Sequence, residues 1–373
     1  MATPAYVVEV PVNETVLMIG TRKGLWLARS QDRRTWDLSG PDDVMGEVHS
    51  VGFDRSGSSP RLLMGSRHWH IGPQVMHSDD LGLTWSAAPD GGVAFPEDTG
   101  AKVEAVWSLA SSAAEPGVVY AGTEPSALFR STDRGETFEL VRGLWDHPHR
   151  TEWAPGGGGQ AIHTLLPHPT DPDRMHVAMS TGGVYRSSDA GTSWEPANKG
   201  IKAEFMPDEI SFPDYGQCVH KVARSPRSHD VFYAQNHGGV YRSDDAGDTW
   251  VSIADGLPAE FGFPEVTHPR EDGAVWLFPL ESSYRRFPPD RACRVWRSTD
   301  AGATWEEQGK GLPDGGFFAG VMRDAMCVDD GEPAGVYIGS RDGSVYASPD
   351  EGESWTPVAE HLPDVLCLRA ATL

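Results

Sequence analysis

The sequence predicts an all-β fold, a seven-bladed β-propeller whose ring is closed by the C-terminal strand, and three observations predict it. A motif of the form Ser-x-Asp-x-Gly-x-Thr-Trp occurs seven times, with its aspartate at Asp32, Asp80, Asp133, Asp189, Asp245, Asp300 and Asp350. The successive gaps of 48, 53, 56, 56, 55 and 50 residues are the period of an array with one supersecondary unit per repeat. Each repeat holds four short apolar segments punctuated by Gly, Pro and Asp, which read as four strands and their turns. The two chain ends are also complementary. Only two strands (16–20 and 24–28) precede the first motif, and the tail 364–370 is a lone strand with no repeat after it. The tail is therefore expected to supply the missing inner strand of the first blade, which removes the exposed edges of an open array. One domain spanning 1–373 follows.

The motif itself is a turn. In the cleanest copy, 298–305, the Asp300 carboxylate can accept hydrogen bonds from amides further along, Gly302 supplies a positive φ, and Trp305 plugs the gap between neighbouring sheets. The first copy, 30–36, is worn, with arginine where the others have glycine. The motif is identified as the Asp-box (BNR) repeat of the sialidase-like propellers, a resemblance that covers nearly the whole chain. It implies that the motif aspartates are structural and take no part in catalysis.

Composition narrows the partners. Asp plus Glu number 54 against 31 Lys plus Arg, for a net charge of −23, which repels phosphate backbones and anionic lipid. Nucleic acid and membrane surfaces are thus not expected as partners. The first 20 residues lack a basic start followed by an apolar run, so no secretory leader is expected there. Cys218, Cys293, Cys327 and Cys367 are scattered without metal or disulfide spacing, and a cytoplasmic location is the expectation.

In chain order, the clearest repeat runs through strands at 160–169, 174–180, 183–187 and 193–196, with the motif turn before the last. The motif turns then share one face with the turns joining first to second strands. The other face receives the long irregular connections 88–102, 143–159, 200–216 and 281–292. Binding residues concentrate on loops carried by a rigid scaffold, so the face opposite the motifs is the expected functional one. The run 156–159 is four glycines without a following Lys-Ser/Thr, and reads as a hinge, not a phosphate loop.

Three constellations on that face could carry chemistry. Alignment of the first strands places His49, Trp107, His163, His220, Phe263 and Asp324 at one equivalent position near the channel mouth. Imidazoles of His49, His163 and His220 converging there suit a divalent transition metal ion, with Asp324 or water in the remaining position. The competing reading is that each histidine caps a neighbouring backbone carbonyl. His68, His70, His147, His149, His237 and His361 are expected on the same face. A second set is Arg22, Arg67 and Arg341, each after Gly-Thr or Gly-Ser in the loop between second and third strands. These guanidiniums could hold a carboxylate by paired hydrogen bonds, or simply be solvated. The third is a carboxylate pair for glycoside hydrolysis. Glu104, Glu152, Glu209, Glu265, Glu281 and Asp324 fall on or near this face, and Asp324 and Glu104 are the catalytic candidates. Trp107 and His237 join the three arginines as candidate substrate contacts.

Beyond the repeats, the chain resembles bacterial cytoplasmic BNR-repeat proteins described as glycosyl hydrolases or exo-sialidase-like. The strings that carry this are 20–26 (GTRKGLW), 141–153 (VRGLWDHPHRTEW), 203–207 (AEFMP) and 261–270 (FGFPEVTHPR). The Phe/Tyr-Arg-Ile-Pro motif of sialidases is absent; the nearest string, Tyr284-Arg285-Arg286-Phe287-Pro288, lies in the sixth repeat. The resemblance implies an enzyme at the channel mouth, glycosidase-like or metal-dependent, acting on a small glycan or carboxylate-bearing ligand. The alternative is a non-catalytic scaffold that grips a protein or peptide, as Asp-box sorting receptors and a photosystem assembly factor do. A scaffold predicts a broad patch of loop residues such as Trp145, Trp153 and Phe205; an enzyme predicts a deep cavity.

Overall fold

The computed structural model describes residues 14–88, 91–155 and 159–373. The segment 1–13, most of the stretch read for a leader, and Gly156, Gly157 and Gly158 of the glycine run lie outside the described residues.

The described residues form an all-β fold, with 28 strands in sheets of mostly four. It opens with β1 (Thr15–Thr21), β2 (Gly24–Ser30) and β3 (Asp37–Asp42). Five four-stranded antiparallel meanders follow. These are β4 (Gly46–Asp54), β5 (Arg61–His68), β6 (Gly72–Ser78), β7 (Ser86–Ala87); then β8 (Ala105–Ser111), β9 (Val119–Glu124), β10 (Ala127–Ser131), β11 (Glu139–Leu140). Next come β12 (Ile162–Pro167), β13 (Met175–Met179), β14 (Gly183–Ser187), β15 (Glu195–Pro196), then β16 (Val219–Arg224), β17 (Phe232–Asn236), β18 (Val240–Ser243), β19 (Val251–Ser252). The fifth is β20 (Phe261–Thr267), β21 (Val275–Leu280), β22 (Val295–Ser298), β23 (Glu306–Gln308). The last strands, β24 (Val321–Val328), β25 (Val336–Ser340), β26 (Val345–Ser348), β27 (Thr356–Ala359) and β28 (Val365–Thr372), join the first three in one sheet of eight. There β28 pairs antiparallel with β1, from Thr15↔Thr372 to Gly20↔Cys367, and touches β24 through one parallel pair, Asp324↔Cys367. No helix among the described residues is long and apolar enough to cross a membrane.

Burial explains the strand composition. β13 (MHVAM) and β17 (FYAQN) are buried throughout, because each is flanked by strands within its sheet and by sheets on both faces. The fourth strands β7, β11, β15 and β19 are two residues long and largely exposed, which leaves little edge for another chain to pair with.

The repeated turns are built alike. Asp245 accepts from the Thr249 amide (2.8 Å), the Thr249 hydroxyl (2.6 Å) and the Ser243 hydroxyl (2.8 Å), while Ser243 Oγ accepts from the Gly247 amide (2.8 Å). Two successive residues take left-handed backbone, Ala246 (φ 55°) and Gly247 (φ 88°), so the strain extends one residue beyond the expected glycine. The worn copy shows why it differs. It is one residue shorter, and Asp32 Oδ1 accepts from Arg34 (2.8 Å) and Thr35 (2.7 Å), with positive φ at Arg33 (57°) and none at Arg34. Two of the motif tryptophans bond to the preceding sheet: Trp250 Nε1 donates to Ala197 O (2.9 Å) and Trp305 Nε1 to Ile253 O (2.8 Å).

What positions the site is the innermost strand of each sheet. Strands β4, β8, β12, β16, β20, β24 and β28 pack in succession, and β28 packs on β4. Each carries a register shift: at His49, Trp107, His163 and His220, across 263–264 and 322–325, and at Leu366. A bulge inserts an extra residue and re-aims its side chain. The residues aligned from sequence are therefore the bulged ones. Side chains at or beside the bulges also bond four of the inner strands to the next: Ser50 Oγ to Val106 O (2.9 Å), Ser108 Oγ to Ile162 O (2.8 Å), His163 Nε2 to Val219 O (2.9 Å) and His220 Nδ1 to Gly262 O (2.6 Å).

Candidate active site

The bulges and the loops between second and third strands open into a cavity of about 570 Å³ on the face away from the motif turns. In an antiparallel meander, the turn after the second strand and the turn after the third lie at opposite ends. Hence none of the motif aspartates lines it. Their carboxyls are spent locally: Asp300 is pulled down to about 2 by the Thr304 hydroxyl and amide.

Of the residues singled out from sequence, Arg22, Arg67, Arg341, Trp107, His237, His49, His220 and Asp324 line the cavity. Glu104 and His163 do not. Glu104 is an exposed side chain just outside β8, so strand geometry turns it away from the space its neighbours share. His163 is buried and both ring nitrogens are engaged, Nε2 with Val219 O and Nδ1 with the Thr164 hydroxyl at 3.0 Å. Burial holds its pKa well below the usual imidazole value, so the ring is neutral. His49 faces Glu47 (Nε2 to Oε2, 3.3 Å) and stacks on Trp107 with ring centroids 5.5 Å apart. The proposed metal triad of His49, His163 and His220 is thus not assembled: one member staples two strands, and another is bound to a carboxylate. Among the described residues, the group whose ligand atoms do approach one another is Cys218, His220 and His237.

The three arginines are divided as well. Arg22 (Nε, 3.1 Å) and Arg341 (Nη2, 2.6 Å) both hold Asp364 Oδ2, and Arg22 also pairs with Glu47 at 3.1 Å. The chain supplies its own carboxylate to this pair. Arg67 is exposed and has no carboxylate partner among the described residues. Asp324 pairs with Lys221 Nζ at 2.5 Å and Arg369 Nη2 at 3.5 Å, all inside the channel. Burial lowers the Lys221 pKa, and the Asp324 carboxylate opposes that.

Several lining residues escaped the sequence reading. Glu47 lies two residues before His49, where strand alternation puts it on the same side, and its carboxyl is lowered to about 2, chiefly by the His49 hydrogen bond. Glu124 accepts from Trp107 Nε1 at 2.9 Å. It follows Gly122-Thr123 as Arg67 follows Gly65-Ser66, so the alignment behind the arginines was the signal that could have found it. Arg323 is 7% exposed; it donates to the Ser180 hydroxyl (3.2 Å), lies 5.1 Å over Phe263, and its Nε has no hydrogen-bond partner. Arg286 approaches the same ring at 5.3 Å. Trp145 and Trp153, expected on an exposed patch, are 6% and 7% exposed. Phe205 is 52% exposed and lines the cavity.

No protein-family model matches the chain. Xyloglucanase Xgh74A of Acetivibrio thermocellus is 25% identical over 277 residues, covering 65% of this chain and 31% of its own length. The oligoxyloglucan-reducing end-specific xyloglucanase of Emericella nidulans is 24% identical over 382 residues, 92% of this chain and 44% of its own. The chain spans less than half the length of these curated relatives. Among solved structures, the GH74 enzyme of Niastella koreensis superposes with a TM-score of 0.62 at 14% identity, over 95% of this chain and 55% of that one. The GH74 xyloglucanase of Xanthomonas campestris gives 0.59 at 16%, over 95% and 56%. YCF48 bound to D1 peptide gives 0.54 at 14%, over 84% and 81%. These superpositions show a propeller-like fold. The sequence relatives are glycoside hydrolases, and the sialidase element of the expected resemblance finds no support in them.

Proposed function

We propose that this chain is a glycoside hydrolase built as seven four-stranded blades in a single domain, with β28 completing the first blade and Asp324↔Cys367 the seam to the seventh. The observation that carries the functional reading is the cavity. It gathers the carboxylates of Glu47, Glu124 and Asp324 beside the Trp107 ring, on the face away from the motif turns. Two carboxylates flanking a bond are what glycoside hydrolysis requires, and an aromatic face suits a sugar ring. Asp324, held between Lys221 and Arg369, and Glu124, oriented by the Trp107 indole, are the carboxylate pair we assign to the reaction. Relatedness to xyloglucanases supports the substrate class. The cationic wall of Arg67, Arg286 and Arg323 favours a glycan that also bears a carboxylate. The four cysteines are free and buried, which supports the cytoplasmic reading.

The test is sugar release from xyloglucan oligosaccharides and from uronic-acid-containing glycans, with Glu124→Gln and Asp324→Asn alongside. Activity on one of these classes that falls at least 100-fold in both variants is expected. A flat panel with folded protein would overturn the hydrolase reading. Activity untouched by either variant would overturn the residue assignment.

A second reading, a protein-binding scaffold, is favoured by one feature. The 200–216 connection exposes Phe205, which lines the cavity, together with Met206, Ile210 and Phe212, at 52%, 37%, 59% and 62%. A peptide bound with loss of affinity in Phe205→Ser, together with a flat glycan panel, would select it.

A further inference from the structure

One wall of the cavity holds donor chemistry that hydrolysis by carboxylates does not use. Cys218 immediately precedes β16, and His220 is the bulged residue two positions on. His237 follows β17, and its amide donates to Cys218 O at 2.9 Å, which fixes the two side by side. The ligand atoms of the three side chains lie within 4.8 Å of one another.

The protonation pattern separates His220 from the other channel histidines. A carbonyl only accepts, so His220 Nδ1, 2.6 Å from Gly262 O, carries the ring proton. Its Nε2 is then a bare lone pair, 3.7 Å from Cys218 Sγ. A histidine whose far nitrogen donates to a carbonyl is oriented and electronically prepared as a metal ligand. His163 has no such lone pair left. Bond lengths of zinc to sulfur and imidazole put two tetrahedral donors about 3.6 Å apart, close to the Cys218–His220 separation. The half-buried His237 ring has no hydrogen-bond partner among the described residues and can turn toward them.

We propose that Cys218, His220 and His237 form a three-ligand site for a divalent transition metal ion of the zinc class, with its fourth position open to the cavity. Thiolate and imidazole are borderline-soft donors that select such an ion over magnesium or calcium. Three protein ligands with one open place are the arrangement of a catalytic site, not a structural one. The fourth ligand is an anion. Arg323, whose Nε is unpartnered, and Arg286 flank the site through Phe263, which stacks on His220 at 4.7 Å. Two guanidiniums beside a dication disfavour a neutral occupant and favour hydroxide or a carboxylate oxygen. The site does not depend on the hydrolase reading and stands or falls separately from a glycan panel.

The experiment uses the full chain, stripped with a chelator and titrated with Co²⁺, followed by competition with Zn²⁺. One equivalent of Co²⁺ with a thiolate-to-cobalt charge-transfer band, displaced by Zn²⁺, is expected. Cys218→Ser removes the band, His237→Ala weakens Co²⁺ at least ten-fold, and His49→Ala leaves both unchanged. Circular dichroism checks the fold of each variant. Should Cys218→Ser fail to fold, His237→Ala carries the test, because its half-buried ring makes edge contacts with His220 and Phe261 but no hydrogen bond among the described residues. Absence of saturable binding by folded wild-type protein overturns the site and leaves Cys218 and His220 as a hydrogen-bonded pair. A band that survives Cys218→Ser, or binding unaffected by His237→Ala, also overturns it.

Discussion

The two ends of the channel are built from the same repeat and treat it oppositely. At the motif turns, the six full-length copies repeat the same bonds: Ser, Asp and a second hydroxyl (Thr, or Ser at 193 and 354) close on themselves, as at Asp80, Asp133 and Asp245. At the cavity mouth, equivalent positions carry different chemistry. The loop after the second strand offers Arg22, Arg67, Glu124, Thr181, His237, Glu281 and Arg341 in turn, and the bulges offer His49, Trp107, His163, His220, Phe263, Asp324 and Leu366. Symmetry kept makes a scaffold, because a local turn needs nothing from its neighbours. Symmetry broken makes a site, because unlike side chains from equivalent positions are brought to one cavity.

The comparison can be broken where its two ends differ in energy. The largest effect is expected at Asp324. Removing it in Asp324→Ala leaves Lys221 charged and buried, at a cost of about 3–5 kcal/mol, whereas Asp324→Leu with Lys221→Met recovers most of it. Urea unfolding of the three proteins checks this; a single-variant loss below about 1 kcal/mol would mean the pair is solvated.

Next is Glu265 in the channel wall, fully buried, with neither carboxyl oxygen in a hydrogen bond and its pKa raised well above the usual value by burial. A carboxyl protonated in the native state and ionised in the unfolded one destabilises more as pH rises. Glu265→Met is therefore expected to stabilise by about 1–3 kcal/mol at pH 7 and by less at pH 4.5. Thermal melts at the two values decide it.

Histidine titration has the opposite sign. Burial lowers His176 to about 3, and its Nε2 donates to Ala246 O at 2.9 Å. The unfolded state takes up the proton first, so stability is full above about pH 6.5 and is lost on acidification toward 3. Each such ring adds up to about 1.4 kcal/mol per pH unit, and His163 and His220 act in the same direction. His176→Phe should flatten the melting-temperature slope between pH 6.5 and 5.

The smallest effect is expected at a motif turn. Asp245 is exposed, so water replaces much of what Asp245→Ala removes, and a loss of about 1 kcal/mol follows. Ligand binding at the cavity should be unchanged in that variant; a change would show that the two ends are coupled.

Much of the frame was legible from residues alone. Asp32 to Asp350 mark their own spacing, a turn is a local structure, and the four-strand rhythm is written in alternating apolar runs. The bulge position was legible too, since His49, Trp107, His163 and His220 align by eye. What could not be read was which of them remain available. His163 and His220 occupy equivalent positions, yet a hydroxyl at Thr164 takes the second nitrogen of one, and Cys218 faces that of the other. Arg22 and Arg341 looked free until Asp364, more than 300 residues from Arg22, was placed between them.

The sequence by itself determined the all-β class, the repeat, the turns and the face on which the cavity opens, because each rests on residues within a few positions of one another. Only the tertiary structure decided which carboxylates share a cavity with Trp107, which guanidiniums keep a free edge, and which imidazole keeps a lone pair. Those properties depend on hydrogen-bond partners contributed by neighbouring sheets, and a partner 50 or 300 residues away leaves no mark on the local pattern.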